Sequence, residues 1–456
     1  MRGVTSWNFT PYVEPHKKQR GESPYICRIA PFKNGFTADY IDNNPDGSGY
    51  YVSYGIPGQI KETIPADGGT FTIKGIQDHT DFEFYIRRGT GATSSTRLVR
   101  TGNIPGTVIN YVHPRDTEYR FSGWYPCSPS IVRLADGRLL ASMDMYKSSY
   151  PQNLTMLFRS DDDGEHWRYL TDLFPCFWGK FFLHNDGLYM LGVSREYGDL
   201  LIGRSYDGGE NWTVPTVLFR GSNSSEHPGI HRAPMPFYSR NGLLMTDVQY
   251  GATQCGLMFD GVISVRSDRD LLDAGNWVLS DLYAAPTEEL KESTDIPNGI
   301  EGNIIDEPNG NAVIFLRYDR GKALVLNFDP ANPENAPTFN SIINFPSTAS
   351  KFEIYYDKPS GYYVSIVDYP LEEPRTERNL LTLIYSRNMK EWKTAKHIID
   401  HRYDDPDKTG FQYVSFLIEE NDIIFESRTA YNGADSYHNS NCVTFHRIRE
   451  FRKYLI

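Results

Sequence analysis

Two short segments of the chain set histidine beside arginine. One is SSEHPGIHRAPMPF, with His227, His231 and Arg232; the other is SRTAYNGADSYHNSN, with Arg428 and His438. Imidazole exchanges protons near neutral pH, so a histidine at the mouth of a strand can serve as general acid or base. A guanidinium offers a planar fork of donors that matches a carboxylate. A third constellation is Glu301 and Arg317 in GIEGNIIDEPNGNAVIFLRYD, where the turn at Asn309-Gly310 folds two strands together. That hairpin brings both charges to the same end of adjacent strands. A charge left unpaired inside a protein is costly, so the two form either an internal ion pair or part of a binding site. Arg378 in PRTERNLLTLIYS (with Arg375 just before it), Tyr413 in GFQYVSF, and Asp144 and Tyr146 at the end of SIVRLADGRLLASMDMY complete the set. Each has a plainer reading: a loop histidine held by a carbonyl, a solvent-facing arginine, or one packing tyrosine among 31.

The composition says what must hold these groups. Aromatic residues are 14% of the 456 positions and stand among 38 Gly and 28 Pro, which favours many short strands over long helices. From residue 115 onward one pattern recurs: a strand, a tight turn and a second strand. The copies are SIVRLADGRLLASMD (130–144), KFFLHNDGLYMLGVS (180–194), PMPFYSRNGLLMTDV (234–248), NIIDEPNGNAVIFLR (303–317), FEIYYDKPSGYYVSIV (352–367) and QYVSFLIEENDIIFESR (412–428). Between them lie FRSDDDGEHW (158–167) and GRSYDGGENW (203–212), both of the form S-x-D-x-G-x-x-W, with weaker echoes VRSDRDLLDAGNW (265–277) and IYSRNMKEW (384–392). In such a turn Asp162 and Asp207 fold back onto backbone amides, Gly164 and Gly209 supply positive φ, and Trp167 and Trp212 pack between sheets. Six hairpins predict six repeated units, or five if one is misassigned, closed by the last strand NCVTFHRIREF (441–451).

Residues 1–21 read as a loose leader. Residues 22–104 differ in texture: YICRIAPF, GFTADYID, GYYVSYG, GTFTIKGI, DFEFYIRRG and STRLVRTG are short alternating runs between turn residues. Their spacing predicts a sandwich of about seven strands. The unit resembles a fibronectin type III module, and its expected role is that of a spacer or docking domain.

The S-x-D-x-G-x-x-W turns resemble the Asp-box (BNR) repeats of sialidases, and residues 115–456 resemble the propellers of that family. The expected fold class is therefore all-β: a six-bladed, sialidase-like β-propeller preceded by a small β-sandwich. The resemblance also implies chemistry at the propeller axis, while the Asp boxes themselves are scaffold turns. In sialidases three arginines hold a substrate carboxylate, a tyrosine activated by a glutamate is the nucleophile, and an aspartate is the acid/base. On this pattern Glu301, Arg317, Arg378 and Tyr413 match. The first arginine does not, because Cys127 stands in its place, and the loop KSSYPQN (147–153) has no aspartate. Asp144 or His231 is then expected as acid/base, and Arg232, Arg428 and His438 as further binding residues.

The resulting expectation is an exo-acting glycoside hydrolase releasing a terminal acidic sugar, a sialic acid or related keto-acid or uronate. A lyase or other glycosidase acting on a uronate through a His/Tyr pair is the first alternative. A non-catalytic carbohydrate-binding propeller is the second. A net charge of −12 and the lack of a Lys/Arg-rich run argue against nucleic acid as a partner. No apolar stretch reaches membrane-spanning length, and MRGVTSWNFTPYVEP lacks the apolar core of a signal peptide. Whether the protein is cytoplasmic or has lost a leader is left open, as is its oligomeric state. Five scattered cysteines suggest neither a disulfide framework nor a zinc site, and no cofactor or metal motif is present.

Overall fold

A computed structural model of the protein describes residues 12–19, 21–222, 226–252, 257–284, 299–371 and 378–455. It is all-β: strands joined by turns, with short 3-10 helices and no α-helix among the described residues. The first seven strands form two sheets. One orders Tyr25–Phe32, Gly35–Ile41 and Thr70–Lys74; the other orders Gln59–Ala66, Tyr50–Ile56, Asp81–Arg88 and Arg97–Arg100. Alternation decides which side faces in, as in Asp81–Arg88, where every second residue is buried. Phe36 and Phe71 of one sheet meet Val52, Phe84 and Ile86 of the other in one core. That core runs on into Ile104, Val108, Tyr111 and Cys442, which belong to the following unit and its approach. Arg97 and Asp116, both buried, add an ion pair at 2.8 Å across the same junction.

Among the described residues, six further antiparallel sheets of four or five strands follow one another along the chain. They open with the strand pairs Tyr125–Arg133/Leu139–Tyr146, Phe177–His184/Gly187–Val193, Gly229–His231/Leu243–Ala252, Ile300–Asp306/Ala312–Arg317, Ile354–Asp357/Tyr362–Asp368 and Gly410–Glu419/Asp422–Ala430. Apolar clusters join each sheet to the next: Leu140 and Leu170 to Phe181, Val193 to Val248, Met245 to Ile314, Phe315 to Tyr363, and Leu383 to Phe425. A sixth cluster, with Phe445 and Ile424 against Ile131 and Phe158, joins the last sheet to the first. The sheets thus form a closed cycle. The closing pairing lies within the last sheet, where Thr107–Tyr111 pairs with Cys442–Ile448. A boundary at residue 115 therefore falls too late, because a strand from before the first hairpin completes the last sheet.

The S-x-D-x-G-x-x-W turns explain how outer strands are joined. Ser160 Oγ accepts from the Gly164 amide at 2.9 Å, Asp162 Oδ1 accepts from the His166 amide at 2.9 Å, and Trp167 Nε1 donates to the Gly164 carbonyl at 3.1 Å. Ser205, Asp207, Gly209 and Trp212 repeat this arrangement. In IYSRNMKEW, Asn388 replaces the aspartate and Met389, at φ 59°, replaces the glycine, yet Trp392 Nε1 still donates to the Met389 carbonyl at 2.9 Å. Gly164 has φ +92°, and a Cβ there would sit 2.2 Å from the Phe445 ring that Trp167 also packs against. Gly164→Ala is thus expected to cost about 1–3 kcal/mol through overpacking and an unfavourable φ. A urea midpoint unchanged from wild type would refute this.

Polar side chains near the axis tie the cycle together. Ser130 Oγ accepts from the Phe181 amide, Asn303 Oδ1 from the Ile354 amide and Glu353 Oε2 from the Phe416 amide, at 3.0, 3.0 and 3.2 Å. The other oxygen of Glu353 binds Lys180 at 2.7 Å and Lys351 at 2.9 Å, with all three side chains buried. Cys27, Cys127, Cys176 and Cys442 are buried and free; Cys255 lies outside the described residues.

Candidate functional site

One local device recurs at the start of the first strand in four of the six sheets. The pairs Cys127–Asp144, Phe177–Val193, Ile300–Arg317 and Gln412–Arg428 are in register, and directly after each the register slips by one residue. The extra residue has positive φ in every case: Ser128 at 46°, Trp178 at 53°, Glu301 at 60° and Tyr413 at 56°. Such bulges bend the strand and re-aim a side chain. A non-glycine residue in this conformation costs on the order of 1–3 kcal/mol, a strain that concentrates at functional sites. Glu301 and Tyr413 thus occupy equivalent bulges two sheets apart. Arg317 and Arg428 occupy equivalent positions opposite them.

These four side chains meet. Tyr413 Oη donates to Glu301 Oε1 at 3.0 Å, Arg317 Nη1 donates to Glu301 Oε2 at 2.9 Å, and the same nitrogen lies 2.9 Å from Tyr413 Oη. The guanidinium carbons of Arg428 and Arg317 stand 5.4 and 5.9 Å from the Tyr413 ring centre. Arg378 enters from the intervening sheet and donates to Gln412 Oε1, while its carbonyl accepts from the Phe411 amide at 2.6 Å. Nε of Arg317 and Nε of Arg378 are buried and have no hydrogen-bond partner among the described residues. Three arginines therefore surround one tyrosine.

The electrostatics follow from this packing. Burial would raise the Glu301 carboxyl, but the charge and hydrogen bond of Arg317 override it and hold Glu301 below the usual carboxylate range. Burial and the charge of Glu301 raise the Tyr413 phenol, while Arg317, Arg378 and Arg428 pull it down. The phenol therefore stays protonated at neutral pH beside an ionised acceptor. Burial opposes charge on Arg317, yet Glu301 and Tyr413 raise its pKa. Arg378 is pushed down by burial first and by the Arg317 charge next.

The remaining candidates divide. His438 joins the cluster: its carbonyl accepts from Arg428 Nη2, and its ring meets Tyr146 edge-on at 5.3 Å. The Arg428 charge, then burial, push its imidazole down to about 2, so it is neutral. His231 lines the adjoining wall, its ring 4.5 Å from Trp178 and 6.0 Å from Tyr197. Burial lowers it to about 4. Arg232, by contrast, is fully buried, donates to the Met235 carbonyl and Thr246 Oγ1, and faces Asp247 and Glu353 beneath the cluster. Asp144 is also fully buried, accepting from Thr155 Oγ1 at 2.5 Å and the Trp178 amide at 2.8 Å. Those donors occupy both its oxygens, and its side chain has no exposed surface. His227 is exposed and outside the cluster, and Arg375 lies outside the described residues.

Sequence reasoning missed the equivalence of Arg428 and Arg317. It noted Cys127 in place of the first arginine and offered Arg232 as the replacement, whereas the third guanidinium at Tyr413 is that of Arg428, from the far strand of the last hairpin. The signal was present in NAVIFLR and DIIFESR, segments from the second strands of the fourth and sixth hairpins that each end in arginine.

No family model matches the sequence, and no curated protein matches it. Solved structures do resemble the fold. An α-L-arabinanase of Penicillium chrysogenum, solved with arabinobiose, aligns at TM-score 0.51 and 13% identity over 77% of this chain and 99% of that one. A GH93 α-L-arabinofuranosidase of Fusarium graminearum, also with arabinobiose, aligns at TM-score 0.50 and 12% identity over 75% and 97%. At such identity the likeness shows a shared β-propeller fold, one that carries glycosidases. Among the described residues no helix is long and apolar enough to cross a membrane.

Proposed function

We propose that the chain is an exo-acting glycoside hydrolase that releases a terminal sugar bearing a carboxylate, on a six-bladed, sialidase-like propeller with a fibronectin type III-like sandwich in front. The observation that carries this reading is the convergence of Arg317, Arg378 and Arg428 on the Tyr413–Glu301 pair. A cluster of guanidinium groups with unpartnered donors suits a carboxylate, which accepts paired N–H bonds. A neutral phenol is the appropriate nucleophile beside such an anion, because a carboxylate nucleophile would be repelled. As Tyr413 Oη attacks the anomeric carbon its proton passes to Glu301 Oε1, 3.0 Å away. The arginines then stabilise the phenolate character that develops. Seven N-terminal strands in sheets of three and four support the sandwich reading.

The test is a panel of glycosides of sialic acids, keto-acids and uronates, with product analysis. Release of a saturated acidic sugar is the expected result. An unsaturated uronate would mean lyase chemistry, and binding without any product would mean a carbohydrate-binding protein; either overturns the hydrolase. One observation favours a second substrate: the two similar structures reported above are named for arabinan or arabinofuranoside cleavage and were solved with arabinobiose. Arabinobiose and arabinan oligomers therefore belong in the panel, and arabinose as sole product would replace the acidic sugar.

Binding can be checked separately from turnover. Arg378→Ala is expected to weaken binding of the free acidic sugar by about 10- to 100-fold, the value of one or two hydrogen bonds to a charged group. The methyl ester of the same sugar should bind both proteins alike. Equal losses for acid and ester would remove Arg378 from the carboxylate site.

A further inference from the structure

The hydrolase reading leaves the leaving group without a proton donor, since Asp144 is sealed in the wall and His231 and His438 are neutral. Building on that reading, we propose that Glu196 is the general acid/base. Three observations place it there.

The first is topological. In an antiparallel meander the start of strand one, the end of strand two and the connection from two to three share one end of the sheet. Glu301 and Tyr413 lie at starts, Arg317 and Arg428 at ends, and His438 in a two-to-three connection. Glu196 is in the corresponding connection of the second sheet, between Gly187–Val193 and Leu200–Ser205. Following the packing order around the cycle, that sheet stands across the axis from the one that carries Arg378. A sugar held by its carboxylate on the Arg378 side would thus extend its aglycone toward Glu196.

The second is contact. Glu196 Oε2 accepts from Gln152 Nε2 at 2.9 Å, and Glu196 also bonds Tyr197, whose ring stacks with His231. On its other side Glu196 acts electrostatically on Tyr146, which lies against His438 and Arg428. Glu196 is thus linked through Tyr197 and His231 toward Glu301, and through Tyr146 toward Arg428 and Tyr413. Gln152 belongs to KSSYPQN, the loop that lacks an aspartate; it holds the acid that another sheet supplies.

The third is the state of the group. Glu196 is only partly buried, so a substrate oxygen can reach it. Burial raises its pKa above the ordinary value despite hydrogen bonds from Gln152 and Tyr197 and the charge of Arg195. In the first step the glycosidic C–O bond breaks as Tyr413 Oη bonds the anomeric carbon. The Glu196 proton goes to the departing alcohol, and the Tyr413 proton to Glu301. In the second step water bonds the anomeric carbon and gives its proton to Glu196; the phenolate leaves and recovers its proton from Glu301. Nothing else is consumed.

The experiment is Glu196→Gln, with Glu196→Ala as its companion, assayed on glycosides of alkyl and of dinitrophenyl leaving groups. Expected are a loss of about 10²- to 10⁴-fold on alkyl glycosides, a nearly unchanged first step on dinitrophenyl glycosides, and restoration of Glu196→Ala by azide with a glycosyl azide as product. Equal losses on both leaving groups, or no loss on either, would overturn the assignment while wild-type turnover keeps the hydrolase reading intact. A wild type inactive on every acidic glycoside would overturn both. A misfolded variant would show no dinitrophenyl turnover and no azide product, which the urea midpoint separates from a missing acid.

Discussion

Tyr413→Phe is expected to lower kcat on the cleaved glycoside by roughly four orders of magnitude or more, the scale on which removal of a covalent nucleophile acts. The substitution deletes one oxygen and little else. The Glu301–Arg317 ion pair at 2.9 Å does not depend on it, and the ring stays between Arg317 and Arg428. The variant should therefore fold and bind the product acid within a few-fold of wild type. Its defect belongs to the transition state, where the phenol oxygen carries the bond to the anomeric carbon and the arginines carry its charge. Steady-state kinetics with product binding by calorimetry separate the two. A variant retaining a tenth of the wild-type rate would take Tyr413 out of the nucleophile role. Should the loss lie in binding alone, the tyrosine would be a contact residue in a clamp.

A second large effect concerns the axis beneath the site. Glu353→Gln is expected to destabilise the protein by about 3–5 kcal/mol, because it leaves two buried ammonium groups facing a neutral amide. Glu353, Lys180 and Lys351 are all buried, with ion pairs of 2.7 and 2.9 Å. Burial already lowers Lys180 to about 8, and the charge of Glu353 is what keeps it from falling further. This gives the deficit a pH signature. A lysine with a depressed folded pKa leaves the unfolded chain holding the extra proton between the folded and unfolded values, so stability rises with pH across that window. The unfolded value is about 10.4 in both proteins. The wild type starts its rise near pH 8, and the variant starts lower. The deficit should then narrow as pH climbs toward 8 and stay level above it. Urea unfolding at several pH values measures this, and a pH-independent deficit below 1 kcal/mol would show that the cluster is not held by its charges.

Much of this molecule is local in origin. The strand–turn–strand copies are visible because a two-residue period and a tight turn are encoded within about 15 neighbouring residues. The S-x-D-x-G-x-x-W turns are equally local, since each hydrogen bond spans only two to four residues. IYSRNMKEW keeps the turn's hydroxyl and indole hydrogen bonds with Asn388 and Met389 in place of the aspartate and glycine, Met389 itself taking positive φ. The closing strand Thr107–Tyr111 was illegible because its partner lies over 300 residues away, at Cys442–Ile448. Five residues without a local hairpin carry no sign of where they pair.

The site divides along the same line. The amino-acid sequence by itself determined the chemical inventory: a glutamate and an arginine at matching ends of one hairpin, a tyrosine opening another, and arginines in number. Which of them meet is a property of the ring, since side chains from the fourth, fifth and sixth sheets converge only once the six are closed. Two outcomes depended wholly on that closure. Asp144 and Arg428 occupy equivalent positions opposite equivalent bulges, yet one is sealed by Thr155 and Trp178 while the other reaches Tyr413. Glu196, in the unremarked segment VSREYGD, gains its place from Gln152 of another sheet and from its position across the axis from Arg378. The physical reason is range: backbone periodicity and turn chemistry act between neighbours, whereas burial and charge at the mouth are set by residues hundreds of positions apart.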